Sequence, residues 1–181
     1  MKLSEILDRS NTFLYAEDKG DTELLDRLSQ ENELLRIVPG IYYRGTKTAS
    51  GYTPPPQDDA LNACLPSGWG YTGFTALSRL GLNMAESSTI QVAVPRACQA
   101  PASVSVNIKQ HRYGRAFLTP MEVTVLETLE TSPAEPSQSL LEACQNALRS
   151  SKPSQIISCT VNEPQAVRRH LIDLLSLTRT R

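Results

Sequence analysis

The side chains able to do chemistry are scattered along this chain rather than gathered into motifs. His111 and His170 lie far apart, and neither has a neighbouring His, Cys or carboxylate at metal-ligand spacing. Cys64, Cys98, Cys144 and Cys159 stand 34, 46 and 15 residues apart with no CxxC pair. That spacing builds neither a zinc ribbon nor a small disulfide scaffold and points to reduced core thiols. Asp58 and Asp59 are adjacent, but they fall where a helix begins, and acids there complement the helix dipole. GYTG, Gly70–Gly73, is too short for a nucleotide loop and reads as a turn before a helix. No GxSxG, GxxxxGK[ST] or HExxH occurs. The expectation is a protein that is not an enzyme, with no catalytic residue, no metal and no cofactor.

Cations are more organised. Between Glu86 and Glu122 there is no acid, while Arg96, Lys109, Arg112 and Arg115 all occur, with His111 among them. Each Lys or Arg that neutralises a phosphate releases counterions, so such a stretch suits a nucleic-acid backbone, although a solvated sheet carries basic faces too. A second cluster, Arg168, Arg169, His170, Arg179 and Arg181, sits at the last helix, where cations also suit the dipole.

The elements that must position these residues follow from periodicity. KLSEILDRSN puts Leu3, Ile6 and Leu7 on one helical face, and residues 13–19 leave room for a further short turn of helix. Asp21 or Thr22 can cap a helix through ELLDRLSQENELL. LLRIV and IYYR then flank Pro39-Gly40, a turn pair in which proline presets a negative φ and glycine tolerates a positive one. Helix, short helix, helix, hairpin is the order of a winged helix-turn-helix, whose third helix can enter the major groove. That third helix carries Asp21, Glu23, Asp26, Glu31 and Glu33 against Arg27 alone. Gln30 and Asn32 remain candidate base readers, because carboxamides pair with adenine edges, and Arg36, Arg44 and Lys47 supply the charge of the wing.

GTKTASGYTPPPQ breaks the composition, so the predicted organisation is a winged helix-turn-helix over 1–50, a linker over 51–57 and a second domain over 58–181. The fold class is therefore α+β, the second domain being a mixed α/β unit with a small sheet. Helices are expected at DDALNACL, TALSRLGL, SLLEACQNALRS and PQAVRRHLIDLLSL, and strands at TIQVAV, SVSVNI and IISCTV. In FLTPMEVTVLETL, Thr119, Pro120 and Glu122 are arranged as a capping box.

The chain has 181 residues, 18 Lys or Arg against 19 Asp or Glu, and 40% hydrophobic residues. Such a composition excludes collagen, disorder and a protein that coats nucleic acid, but not a local basic patch. Glu5, Asp8 and Arg9 interrupt the first apolar run and no window approaches a membrane span, so a cytoplasmic protein without a membrane partner is expected.

RIVPGIYYRG, the TPPP linker, GYTGFTALSRLGL, FLTPMEVTVLETL and EPQAVRRHLIDLL come in an order that resembles the AbiEi-like antitoxins of bacterial abortive-infection (type IV) toxin-antitoxin systems. The resemblance spans most of the chain and rests on order and spacing more than on diagnostic residues. It implies an N-terminal winged helix that binds operator DNA upstream of its own gene and represses the operon, and a C-terminal domain needed for antitoxicity. The functional partner it implies is a cognate nucleotidyltransferase-type toxin, and the antitoxin itself needs no catalytic residue. Carried onto this sequence, the third helix falls on Thr22–Leu34, the wing on Arg36–Arg44 and an LGL element on Leu80–Leu82, with Gly73, Ala76 and Leu77 as further packing residues. A monomer or weak dimer, cooperative on DNA, completes the expectation. The acidic third helix departs from it, which shifts phosphate contact to the wing and to Arg96–Arg115. An acidic face docking a basic partner protein is the alternative, since residues 1–50 hold seven bases against nine acids.

Overall fold

The computed structural model describes residue 6 and residues 10–82, 87–111, 114–132 and 135–177. It is a mixed α+β structure whose contacts divide it into two compact units. The first comprises Met1–Leu65 with Gln99–Ser105, and the second Pro66–Cys98 with Val106–Arg181.

In the first unit, β1 (Thr12–Tyr15) leads into α1 (Lys19–Gln30), followed by β2 (Leu35–Val38) and β3 (Ile41–Arg44). The three strands form an antiparallel sheet in the order β1-β3-β2. Gly40 has φ 83°, so the Pro39-Gly40 turn joins β2 to β3 as the residue types require. Pairing of Leu14 with Tyr42 and of Phe13 with Tyr43 fixes the faces. Leu14 and Tyr42 turn to a core with Ile6, Leu25, Leu28 and Leu34, and Phe13 and Tyr43 lie on the other side. The short turn of helix expected over 13–19 is instead strand β1, because Thr12, Phe13 and Tyr15 favour the pleated surface and find a partner in β3. The expected first helix lies largely outside the described residues.

Helix α1 starts earlier than its periodicity suggests: Asp18 is the cap, its carboxylate accepting from the Asp21 N–H at 2.8 Å. It ends on Asn32 at φ 58°, with the Asn32 N–H bonded to Ser29 O and the Glu33 N–H to Leu28 O. This is the left-handed, doubly bonded helix stop that usually takes glycine and next most readily asparagine. A two-stranded ribbon, β4 (Lys47–Thr48) with β5 (Gly51–Tyr52), and α2 (Gln57–Cys64) complete this unit. The expected linker over 51–57 therefore carries a strand and the start of a helix, and α2 belongs to the first unit.

The second unit is built on a sheet of β6 (Gly70–Tyr71), β7 (Ile90–Val94) and β8 (Val106–Gln110), antiparallel between the first pair and parallel between the second. Around it stand α3 (Gly73–Arg79), α4 (Pro120–Thr131), α5 (Gln138–Ala147), α6 (Pro153–Cys159) and α7 (Gln165–Leu177). Residues 122–129 of α4 are all buried, which makes it the central helix of the unit. The capping box forms as its sequence predicts, Thr119 and Glu122 each accepting from the other's backbone N–H. The LGL element is the C-terminal stop of α3: Gly81 at φ 81° bonds Ser78 O and Leu82 bonds Leu77 O. Leu77, Leu80 and Leu82 pack on the core formed by α4 to α7. IISCTV is not a strand: its first four residues are the second half of α6, which Pro153 opens in its first turn, with Ile156 buried and Thr160 as the C-cap. Among the described residues no helix is long and apolar enough to cross a membrane.

Candidate functional site

Two sets of charged residues matter, one in each unit. In the first, α1 buries Asp21, Leu25 and Leu28 and leaves Glu23, Arg27 and Gln30 exposed. Its acids do not all share that outer face. Asp26 accepts the Tyr42 hydroxyl at 2.6 Å and lies 3.5 Å from the Arg36 guanidinium. Just beyond the helix, Glu33 accepts the Tyr52 hydroxyl at 2.6 Å and lies 3.6 Å from Lys47. The Tyr52 hydroxyl, then Lys47 and Arg44, hold the Glu33 carboxyl below its ordinary value. Burial first, and the bond to Asp26 second, push Tyr42 up to about 12, so it remains a neutral donor. Two acids that repel a phosphate in the bare sequence are thus engaged by the strands, and Arg27, Gln30 and Asn32 are exposed.

The same pairings occupy the hairpin's cations. Arg36 and Lys47 face carboxylates, though both pairs are partly solvated and contribute little to stability. Arg44 and Lys47 lie over the Tyr52 ring, 5.8 and 5.7 Å from its centroid. One terminal nitrogen of Arg44 is buried with no hydrogen-bond partner among the described residues. Tyr42 and Tyr43 are buried.

In the second unit the basic stretch separates. Arg96 is exposed just past β7, Arg112 lies outside the described residues, and Lys109 at 49% side-chain exposure donates to Glu127 at 3.0 Å. Arg115 requires a correction, because it is not a surface cation: its side chain is fully buried. Its Nε and one terminal nitrogen grip the two Glu163 oxygens at 2.7 Å each, a bidentate fork. The other terminal nitrogen bonds Glu127, and Glu130 accepts a further bond at 3.0 Å. Thr72 also donates to Glu127 at 3.0 Å. Burial alone disfavours the Arg115 charge, but Glu163, Glu127 and Glu130 together outweigh it. For Glu127 burial is likewise opposed and overcome by Arg115, Lys109 and Thr72, which hold its carboxyl below the ordinary range. The buried donors and acceptors here are satisfied within the cluster, so it is a structural ion network. A cation followed by an acid-rich helix was visible at Arg115, Glu127 and Glu130, but nothing in the spacing joins Arg115 to Glu163, 48 residues on.

No family model matches the chain, and no curated protein matches it either. Among solved structures, the crystal structure of the RV2827C protein from Mycobacterium tuberculosis is similar at a TM-score of 0.42 and 14% identity, over 87% of this chain. The chain spans 65% of the length of that protein's chain.

Proposed function

We propose that the first unit is a winged helix-turn-helix that binds operator DNA upstream of its own gene, and that the chain is an AbiEi-like antitoxin and autoregulator counteracting a nucleotidyltransferase-type toxin. One observation carries the DNA reading: Asp26 and Glu33 are drawn onto Tyr42, Tyr52 and the hairpin's cations, while Arg27 and Gln30 remain on the exposed face of α1. A helix leading into the Pro39-Gly40 hairpin, and the residue pattern of the whole chain, support the family reading. Phosphate contact passes to Arg27 and to Arg36, Arg44 and Lys47 at the hairpin, with Gln30 facing base edges.

Mobility shifts with the upstream DNA test it. A complex is expected at low salt whose affinity falls log-linearly with salt, and Arg27→Ala should reduce that slope by about 1. Gln30→Ala should instead narrow the preference for the upstream sequence over unrelated DNA. No complex at any salt would remove the regulator. Antitoxicity is tested by expressing the chain with and without the neighbouring gene product and counting survivors; rescue of a toxic neighbour is expected.

A second reading is favoured by the pairing of Arg36 with Asp26 and of Lys47 with Glu33, which neutralises much of the hairpin. There the first unit docks a partner protein and no DNA. Co-purification of a neighbouring gene product that added DNA does not disturb, together with absent mobility shifts, would select it.

A further inference from the structure

A cleft of about 580 Å³ opens in the first unit on the side of the sheet turned away from α1. One wall is aromatic: Phe13, Tyr15 and Tyr43. Phe13 and Tyr43 pack with ring centroids 4.9 Å apart at 53°, and the Tyr43 hydroxyl is anchored on the Asn11 carboxamide at 3.3 Å. Tyr15, two residues along the strand from Phe13 and therefore on the same face, is 49% exposed. Across from them α2 contributes Asp59 and Asn62, three residues apart and so on one side of the helix. Both are exposed, and neither has a hydrogen-bond or ion-pair partner among the described residues. No described residue lining the cleft is basic.

A carboxylate facing aromatic rings with no cation of the protein's own is the chemistry that recognises an organic cation. The ring faces attract the positive charge, the carboxylate neutralises it, and a carboxamide oxygen accepts an N–H. A neutral ligand would use the rings but would desolvate Asp59 without compensation. The volume lies within the range of small-molecule sites, about 300–1,000 Å³. We propose that this cleft binds a small organic cation, an alkylammonium or guanidinium compound, with Phe13, Tyr15 and Tyr43 as the wall and Asp59 as the counter-charge. The site is independent of the DNA reading and stands or falls separately from it.

Calorimetric titration of the full chain with choline, with N-acetylarginine methylamide and with 3,3-dimethylbutan-1-ol, the uncharged carbon isostere of choline, tests it. Binding of at least one cation is expected, about tenfold or more tighter than the isostere, and the two cationic arms separate an alkylammonium from a guanidinium site. Asp59→Asn should abolish that preference, and Tyr15→Leu should weaken the cation about fivefold, consistent with one exposed cation–π contact. Thermal unfolding of Tyr15→Leu, at an exposed side chain, should match the parent, and Asp59→Asn should lose no more than its helix-dipole contribution in the first turn of α2. Binding of the isostere as tight as that of the better cation, an unchanged preference in Asp59→Asn, or no binding of either cation at millimolar concentration would each overturn the proposal.

Discussion

Arg115 has no route to solvent and holds Glu127, Glu130 and Glu163. Its removal would leave two fully buried carboxylates short of their main cation. Arg115→Ala is therefore expected to cost about 3 to 5 kcal/mol, the range for breaking a buried pair, read from urea unfolding. The network also sets an acid limit. A carboxyl held below its ordinary value stabilises the fold at every pH above that value, and the contribution fades as pH falls through the folded-state value. Glu127 is such a group, so stability should be level above the ordinary 4.5 and decline below it. The decline should be shallower in an Arg115→Ala variant that still folds. At Cys144 burial pushes the thiol up to about 12. Iodoacetamide at pH 8 should leave it unmodified in the native chain and alkylate it in denaturant, as peptide mass mapping would record. The reduced core thiol was legible from the absence of paired spacing. The fate of Arg115 was not, since a run of cations reads alike on a surface or in a core until distant acids are in place.

Among the elements, those whose ends carry their own chemistry were the readable ones. The capping box at Thr119 and Glu122, the Pro39-Gly40 turn and the stop at Gly81 are all local, and all form as their residue types dictate. Strand β1 and helix α6 were misread because four to seven residues of β-branched and aromatic character do not declare a period. Only the pairing with β3 in one case, and Pro153 in the first turn in the other, decides them. Asn32 is a candidate base reader, and its place at φ 58° gives it a second reason to be asparagine. The two roles separate by substitution. Asn32→Ala should lose about 1 to 2 kcal/mol to left-handed strain, whereas Asn32→Gly should keep or raise stability in urea unfolding. Unaltered DNA affinity in Asn32→Gly would leave the helix stop as its whole role, and a loss would identify a contact.

For the whole molecule, the mixed α+β class followed from periodicity, but the proline-rich break at 51–57 falls inside the first unit, and the path between the two units was not legible. The chain enters the second unit after Leu65, returns to the first over Gln99–Ser105, and leaves again. Within that return the Ala102 N–H bonds Ile37 O at 2.9 Å, on strand β2. A fragment of residues 1–65 lacks this partner, so its β2 amides should exchange with deuterium faster than in the full chain, as exchange followed by NMR would reveal. Equal protection would mean that the returning segment adds nothing to the sheet. The ion network carries a further consequence for biosynthesis. Arg115 and Glu127 are made well before Glu163, whose two oxygens complete the fork around the guanidinium. A nascent or truncated chain that stops short of residue 163 leaves the Arg115 Nε–H, and one terminal N–H, without the acceptors that Glu163 supplies. Closing that fork is therefore a late event in making the unit, and prematurely terminated products should be more open to proteolysis than full-length chains.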